Sequence, residues 1–232
     1  MFTSPESEAP RFRDRTEAGR LLGSALAEYA HRDDVLVLAL PRGGVPVGVE
    51  VAKALGAPLD VFLVRKLGVP GREELAMGAI ATGGVRLRND EVVRALRIPE
   101  RVWNTVAAEQ KRELDRRERA YRGDRPPPDV RGRTVILVDD GLATGTSMRA
   151  AIAALRQREP ARIVVAVPVA APSTCEEFRE EVEDVVCVRT PEPFYAVGLW
   201  YEDFSQTSDE TVTELIAAAT RPPTAENPDD CE

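Results

Sequence analysis

The chain has 232 residues, 43% apolar and 30% charged, with a net charge of −8. That length supports one good hydrophobic core with an inserted or appended subdomain, and the acidic balance argues against bulk nucleic-acid binding, which needs a strongly basic surface. The longest apolar runs, such as "VLVLAL", are too short to span a bilayer, and "MFTSPESEAPRFRDR" lacks a signal-peptide core, so a cytoplasmic location is expected.

Residues 1–11 are polar and read as a loose tail. Asp14 and Glu17 have capping-box spacing ahead of a helix whose apolar residues Leu21, Leu22, Ala25, Leu26 and Tyr29 recur at helical intervals. "DVLVLAL" (34–40) reads as a buried strand, continuous rather than alternating. "PRGG" breaks it, and a helix follows that stops at Gly56. "DVFLVR" (60–65) reads as a second buried strand, residues 66–75 as a polar loop, and "AMGAIATGGVRLRN" as a hairpin turning at Gly83 and Gly84.

Residues 89–122 change character. They are helical and rich in Arg and Glu, with Val102, Trp103, Val106, Gln110, Leu114 and Tyr121 on one face. The pattern predicts an amphipathic helical insertion packed on the core. A basic docking surface is the alternative, because residues 101–122 carry seven basic and four acidic side chains. Residues 122–132 form a linker. The strand "TVILV" (134–138) leads into a helix at about 147–157. Strands at "RIVVAVPVA" and "DVVCVR" (184–189) bracket a short helix with Ser173 and Glu176 as a possible capping box. An irregular segment rich in aromatics and acids (190–206) and a terminal helix follow, then a tail at 221–232. Alternating strands and helices predict an α/β fold with a mainly parallel twisted sheet, whose sites sit at the carboxyl ends of strands.

Cys175, Cys187 and Cys231 lack metal-ligand spacing. They are expected as free thiols rather than a disulfide framework or a zinc site. His31 is the single histidine and falls on a helix end, a poor position for a triad base.

The chemistry concentrates in "VILVDDGLATGTS". Asp139 and Asp140 emerge at the carboxyl edge of a buried strand, where two adjacent acids cannot both enter an apolar core. Paired carboxylates accept hydrogen bonds from a vicinal diol or help hold hydrated Mg²⁺. Thr144, Gly145, Thr146 and Ser147 offer N–H groups and hydroxyls at a helix N-terminus, which favours an anion. A diol at one end and a phosphate at the other fit one ribose 5-phosphate. Neither the common NTPase loop nor a Gly-x-Gly-x-x-Gly turn is present.

This stretch resembles the phosphoribosyl-pyrophosphate (PRPP) signature of type I phosphoribosyltransferases. The resemblance covers roughly residues 15–85 and 130–205 and implies their fold: a core at 12–88 and 131–220 with a small hood at about 190–206, interrupted by the insertion at 89–130. It implies that Asp139 and Asp140 bind the ribose hydroxyls, directly or through Mg²⁺, and that Ala143, Thr144, Gly145, Thr146 and Ser147 wrap the 5-phosphate. "LPRGG" is similar to the family's pyrophosphate loop, which assigns Arg42, Gly43 and Gly44 to pyrophosphate. Arg65 and Lys66 follow as further basic contacts, and 68–75 resembles a short form of the loop that closes over the reaction centre. "FYAVGLWYED" resembles the hood of hypoxanthine–guanine members. Tyr195 would stack on the acceptor, Trp200 would line the hood, and Glu202 would assist Mg²⁺. Those members carry an aspartate where this chain has Ala143, so the motif does not support their acceptor.

The implied reaction displaces pyrophosphate from PRPP by a nitrogenous acceptor, with Mg²⁺ and no evident general base. A homodimer is the expected assembly, and neither membrane nor nucleic acid is an expected partner. Two other readings stand beside it: a non-catalytic sensor of PRPP or a nucleotide, and a phosphohydrolase or phosphorylase using the same ribose-phosphate site.

Overall fold

The computed structural model describes residues 10–220. The expected C-terminal tail and Cys231 lie outside the described residues, and of the expected N-terminal tail only Pro10 and Arg11 are described, both exposed. Five parallel strands form the central sheet: β1 (Val35–Ala39), β2 (Leu59–Val61), β6 (Thr134–Val138), β7 (Arg162–Val169) and β8 (Asp184–Arg189), in the order β2-β1-β6-β7-β8. Both faces are covered, which is why these runs are continuously apolar. Val35, Val37 and Ala39 of β1 join one cluster with helices α1 (Arg15–Ala25), α2 (Gly44–Leu55), α4 (Glu100–Arg122) and α7 (Asp209–Ala219). Leu36 and Leu38 join the other, with α5 (Thr146–Arg156) and α6 (Pro172–Glu181).

Local signals place most boundaries. Asp14 caps α1 by accepting from the Glu17 N–H at 2.8 Å. Gly56 ends α2 in the left-handed conformation at φ 61°. Ser208 caps α7. Leu21 and Ala25, expected on the apolar face of α1, are exposed, and Ala18 and Gly19 are buried instead. A Cβ on Gly19 would lie 2.8 Å from the Val47 carbonyl oxygen, so α1 packs on α2 through a small-residue contact that counting large apolar residues overlooks.

Four expectations are corrected. The apolar run at 60–65 is not one strand: the chain leaves the central sheet at Phe62 and Leu63 and enters a second, antiparallel sheet through β3 (Val64–Val69). The loop expected at 66–75 is mostly strand. β3 pairs with β4 (Arg72–Ala81) across a two-residue turn at Pro70 and Gly71, with Gly71 at φ 78°. Proline before a positive-φ glycine is turn chemistry rather than loop chemistry, and the exposed face of β4 made the stretch look polar. The hairpin to β5 (Val85–Arg88) forms as expected, turning at Gly83 and Gly84.

Third, α6 is capped by Ala171 with Pro172 in its first turn, and Ser173 already lies inside the helix, so no capping box forms. Fourth, Cys175 and Cys187 form a disulfide joining α6 to β8. Consecutive, packed elements bring together two positions that sequence spacing treated as unrelated.

The stretch at 89–122 forms α3 (Asp90–Ala95) and α4. Trp103, Ala107, Leu114 and Tyr121 of α4 are buried in the same cluster as Leu67, Met77 and Ile80 of the small sheet. The helix end is fixed by Arg122, whose side chain is 1% exposed and donates to Asp60 at 2.9 Å, to Glu118 at 3.2 Å and to the Val61 carbonyl.

Candidate active site

The sheet order reverses between β1 and β6: the chain leaves β1 for β2 on one side and leaves β6 for β7 on the other. Such a switch point opens a crevice at the carboxyl ends of the two strands. Residues 40–44 follow β1 and residues 139–147 follow β6, so both sequence motifs meet there.

They meet in direct contact. A Cβ on Gly43 would overlap the Asp140 carboxylate, and a Cβ on Gly44 would lie 2.7 Å from the Val138 carbonyl oxygen and 3.2 Å from Asp139 Oδ1. Two glycines in a row let the first loop rest against the carboxylate pair. The peptide between Pro41 and Arg42 in this loop is cis.

Asp139 and Asp140 sit in unlike surroundings. Asp139 lines a cavity of about 90 Å³ with Leu40, Pro41, Arg65 and Ser147. Burial first, then the neighbouring Asp140 charge, hold its carboxyl well above the usual range. Asp140 is also pushed upward by burial, opposed by the Arg15 guanidinium. Arg15 Nε and Nη2 both lie 2.9 Å from Asp140 Oδ2. Arg15 in turn stacks 4.0 Å from the Phe204 ring centroid. The Tyr201 hydroxyl donates to the Asp140 carbonyl at 2.6 Å, and burial, then the Asp140 charge, raise that phenol far above its ordinary value. Arg15 and Tyr201 were not among the residues singled out from sequence. For Arg15 the only signal was its place behind the Asp14 cap, which marks a helix start and no ligand.

The loop at 143–147 is braced from outside. Thr174 Oγ1 donates to the Ala143 carbonyl at 2.7 Å, and Arg149 Nη1 donates to the Thr144 carbonyl at 2.8 Å. Gly145 is the N-cap of α5 at φ 67°, with no side-chain cap. The first intrahelical bond runs from Arg149 N–H to the Gly145 carbonyl, so the N–H groups of 146–148 precede the helix ladder and are suited to an anion. A Cβ on Gly145 would overlap the Phe178 ring. Gly145→Ala is therefore expected to cost about 2 kcal/mol, from a left-handed backbone and a displaced ring, read as a lower urea midpoint. An unchanged midpoint would remove this account of the loop.

The remaining predicted residues divide. Arg65 lies in the cavity, donating to Gln110 Oε1 at 2.7 Å. Lys66, its neighbour on the strand, points the other way to Glu74. Arg42 reaches 3.7 Å from Asp209 at the start of α7. In the hood, Tyr195 is 79% exposed. Trp200 packs beside Phe12, Val169 and Tyr201, with its buried Nε1 unpartnered. Glu202 is exposed, and among the described residues no three His, Cys, Asp or Glu side chains converge as a metal cluster. The donor set suits an ion held largely by water and substrate oxygens, as Mg²⁺ is in phosphate sites. No helix of the described residues is long and apolar enough to cross a membrane.

Comparison with known proteins identifies the family. The chain is 45% identical over 210 residues to two Mycobacterium tuberculosis proteins, from strains H37Rv and CDC 1551, each named "Putative phosphoribosyl transferase". The match covers 90% of this chain, which spans about half (47%) of the length of those relatives. The crystal structure of TT1426 from Thermus thermophilus superposes with a TM-score of 0.79 at 44% identity, covering 90% of this chain and 98% of that one. A uracil phosphoribosyltransferase of Lactobacillus gasseri is 46% identical over 59 residues, 25% of this chain and 28% of its own. Residues 15–198 match the phosphoribosyl transferase domain, and the chain belongs to that family.

Proposed function

We propose that the protein transfers the 5-phosphoribosyl group of PRPP to a nitrogenous acceptor, a nucleobase, with release of pyrophosphate. One observation carries this reading: the two-glycine loop after β1 lies against the Asp139–Asp140 pair, directly before the uncapped start of α5. In this reading the loop serves the diphosphate, the aspartate pair the ribose diol and the helix start the 5-phosphate, along one crevice.

In this reading the bond from the anomeric carbon to the pyrophosphate oxygen breaks as a bond to the acceptor nitrogen forms. Asp139 and Asp140 hold the ribose 2- and 3-hydroxyls, and Ala143, Thr144, Gly145, Thr146 and Ser147 hold the 5-phosphate. Arg42, Gly43, Gly44 and Arg65 face the leaving group. Arg15 fixes the Asp140 carboxylate and limits its rotation. Asp139 and Asp140 would be the protein-side contacts of a Mg²⁺ ion, which would supply neutralisation of the diphosphate charge. Catalysis rests on positioning and on electrostatic stabilisation of the departing anion. The acceptor enters beside the hood, where Tyr195 stands exposed for stacking and Trp200 shapes the wall. A cytoplasmic homodimer belongs to the same proposal.

The test is calorimetric titration with PRPP in the presence of Mg²⁺, followed by a nucleobase screen for pyrophosphate release. Micromolar-range PRPP binding and release with one base class are expected. A folded protein that binds no PRPP ends the transferase reading.

A further inference from the structure

The region between α4, α7 and the crevice is short of negative charge. Arg42 and Arg116 share Asp209, at 3.7 and 3.8 Å. Arg116 and Arg117 share Glu113, at 2.7 and 2.8 Å. Among the described residues, half-buried Arg65 has only the neutral amide of Gln110 as its hydrogen-bond partner. Outside the Asp139–Asp140 pair, which faces Arg15, four guanidiniums therefore stand against two carboxylates. Arg65 and Arg117 both line the cavity that also contains Asp139 and Ser147. Burial, then the Arg117 charge, depress the Arg65 guanidinium from its ordinary value. Holding like charges together in a partly buried cavity is unfavourable unless an anion completes the site.

From this arrangement we infer that α4 supplies part of a diphosphate site: Arg117 binds the anion directly, and Gln110 positions Arg65 to bind beside it. The inference deepens the transferase reading and rests on it. Two uncompensated positive charges match a doubly charged phosphate group better than a single anionic oxygen, and the guanidinium forks suit adjacent phosphate oxygens. Gln110 suits its role because an amide holds the Arg65 Nε without cancelling the charge. A carboxylate at the same place would occupy the guanidinium as an internal ion pair. The α4 residues thereby favour diphosphate over monophosphate, since in the proposed reading the start of α5 serves a single phosphate alone.

The experiment is calorimetric titration of the full chain with pyrophosphate and, separately, with orthophosphate. Arg117→Gln is expected to weaken pyrophosphate about tenfold or more, the loss of one charge-assisted contact, while orthophosphate binding stays within about twofold. Arg117→Lys is expected to recover part of the loss, keeping the charge without the fork. Gln110→Glu keeps the hydrogen bond and adds an ion pair to Arg65, so it is expected to weaken pyrophosphate at a melting temperature equal to or above wild type, which disruption of a purely structural Gln110 would not do. Pyrophosphate affinity equal to wild type in folded Arg117→Gln overturns the inference. If wild type binds PRPP while Arg117→Gln behaves as wild type, the inference alone falls. If wild type binds neither PRPP nor pyrophosphate, the transferase reading falls with it.

Discussion

Asp139→Asn combined with Asp140→Asn is expected to lower PRPP turnover by about 10²-fold or more, whereas Asp139→Asn alone is expected to raise the stability of the unliganded protein. In the proposed reading the loss follows from replacing two charged acceptors of the ribose diol with amides that are weaker acceptors and poor partners for a cation; each charged hydrogen bond contributes about 1.5–3 kcal/mol. The gain follows from the sign of the shifts. Both carboxyls are raised above the ordinary aspartate value by burial, Asp139 further by its neighbour's charge. A raised carboxyl contributes stability that is complete below its unfolded value, about 4, and lost as pH rises through its folded value. At neutral pH the wild type therefore carries a charge penalty at Asp139 that an amide there removes. Asp139→Asn alone isolates this effect, because Asp140 keeps its Arg15 partner. It is expected to raise the melting temperature by a few degrees, about 2–4 °C per kcal/mol at this size, with the gap to wild type closing as pH falls. The comparison must be made between variant and wild type at each pH, because Asp34 and Glu113, both depressed to about 2, destabilise both proteins at the acid end. An Asn variant that melts below wild type at neutral pH would contradict the buried-charge account.

Arg122→Ala is expected to cost about 3–5 kcal/mol, the penalty for leaving a buried charge without its partner. Asp60 is 8% exposed, and its nearest cation is the fully buried Arg122 side chain. Truncation also strips the Val61 carbonyl of its guanidinium donor and opens a cavity where β2 meets α4. Because Asp60 and Val61 lead directly into Phe62 and Arg65 of the crevice wall, weaker diphosphate binding is expected to accompany the lost stability. Urea unfolding of Arg122→Ala, Asp60→Ala and the double variant checks the pair. The double variant is expected to cost clearly less than the sum, because neither orphaned charge remains. Strict additivity would show that the two side chains do not support each other.

The central sheet and the order of its elements were legible because strands buried on both faces leave unbroken apolar runs, and those runs survive without tertiary knowledge. The motif at 139–147 was legible because its residue types and spacing are chemically restrictive. The small sheet was only half legible: the glycine pair at 83 and 84 announced one turn, whereas Pro70 and Gly71 sat in a stretch whose charged side chains suggested a loop. Partners distant in sequence left no trace. Arg15 and Asp140 are 125 residues apart, Arg122 and Asp60 are 62 apart, and nothing local marks either arginine among the 31 basic residues of the chain. The opposite directions of Arg65 and Lys66 were implicit in strand alternation but depended on recognising that they lie in a strand.

The hood is stitched to the start of the chain. Phe12 pairs with Tyr201, the Phe12 N–H donates to the Trp200 carbonyl at 2.9 Å, and the Glu202 N–H donates to the Phe12 carbonyl at 2.8 Å. These bonds close a loop that contains every other element of the site, and contacts of such long sequence separation form late and slowly. In the proposed reading the phosphate-binding turn also needs Thr174 and Phe178 of α6, whereas the acceptor side needs residues up to 202. In that reading the elements that hold the sugar phosphate precede in the chain those that enclose the acceptor, and the bonds between Phe12 and the hood join the two sides.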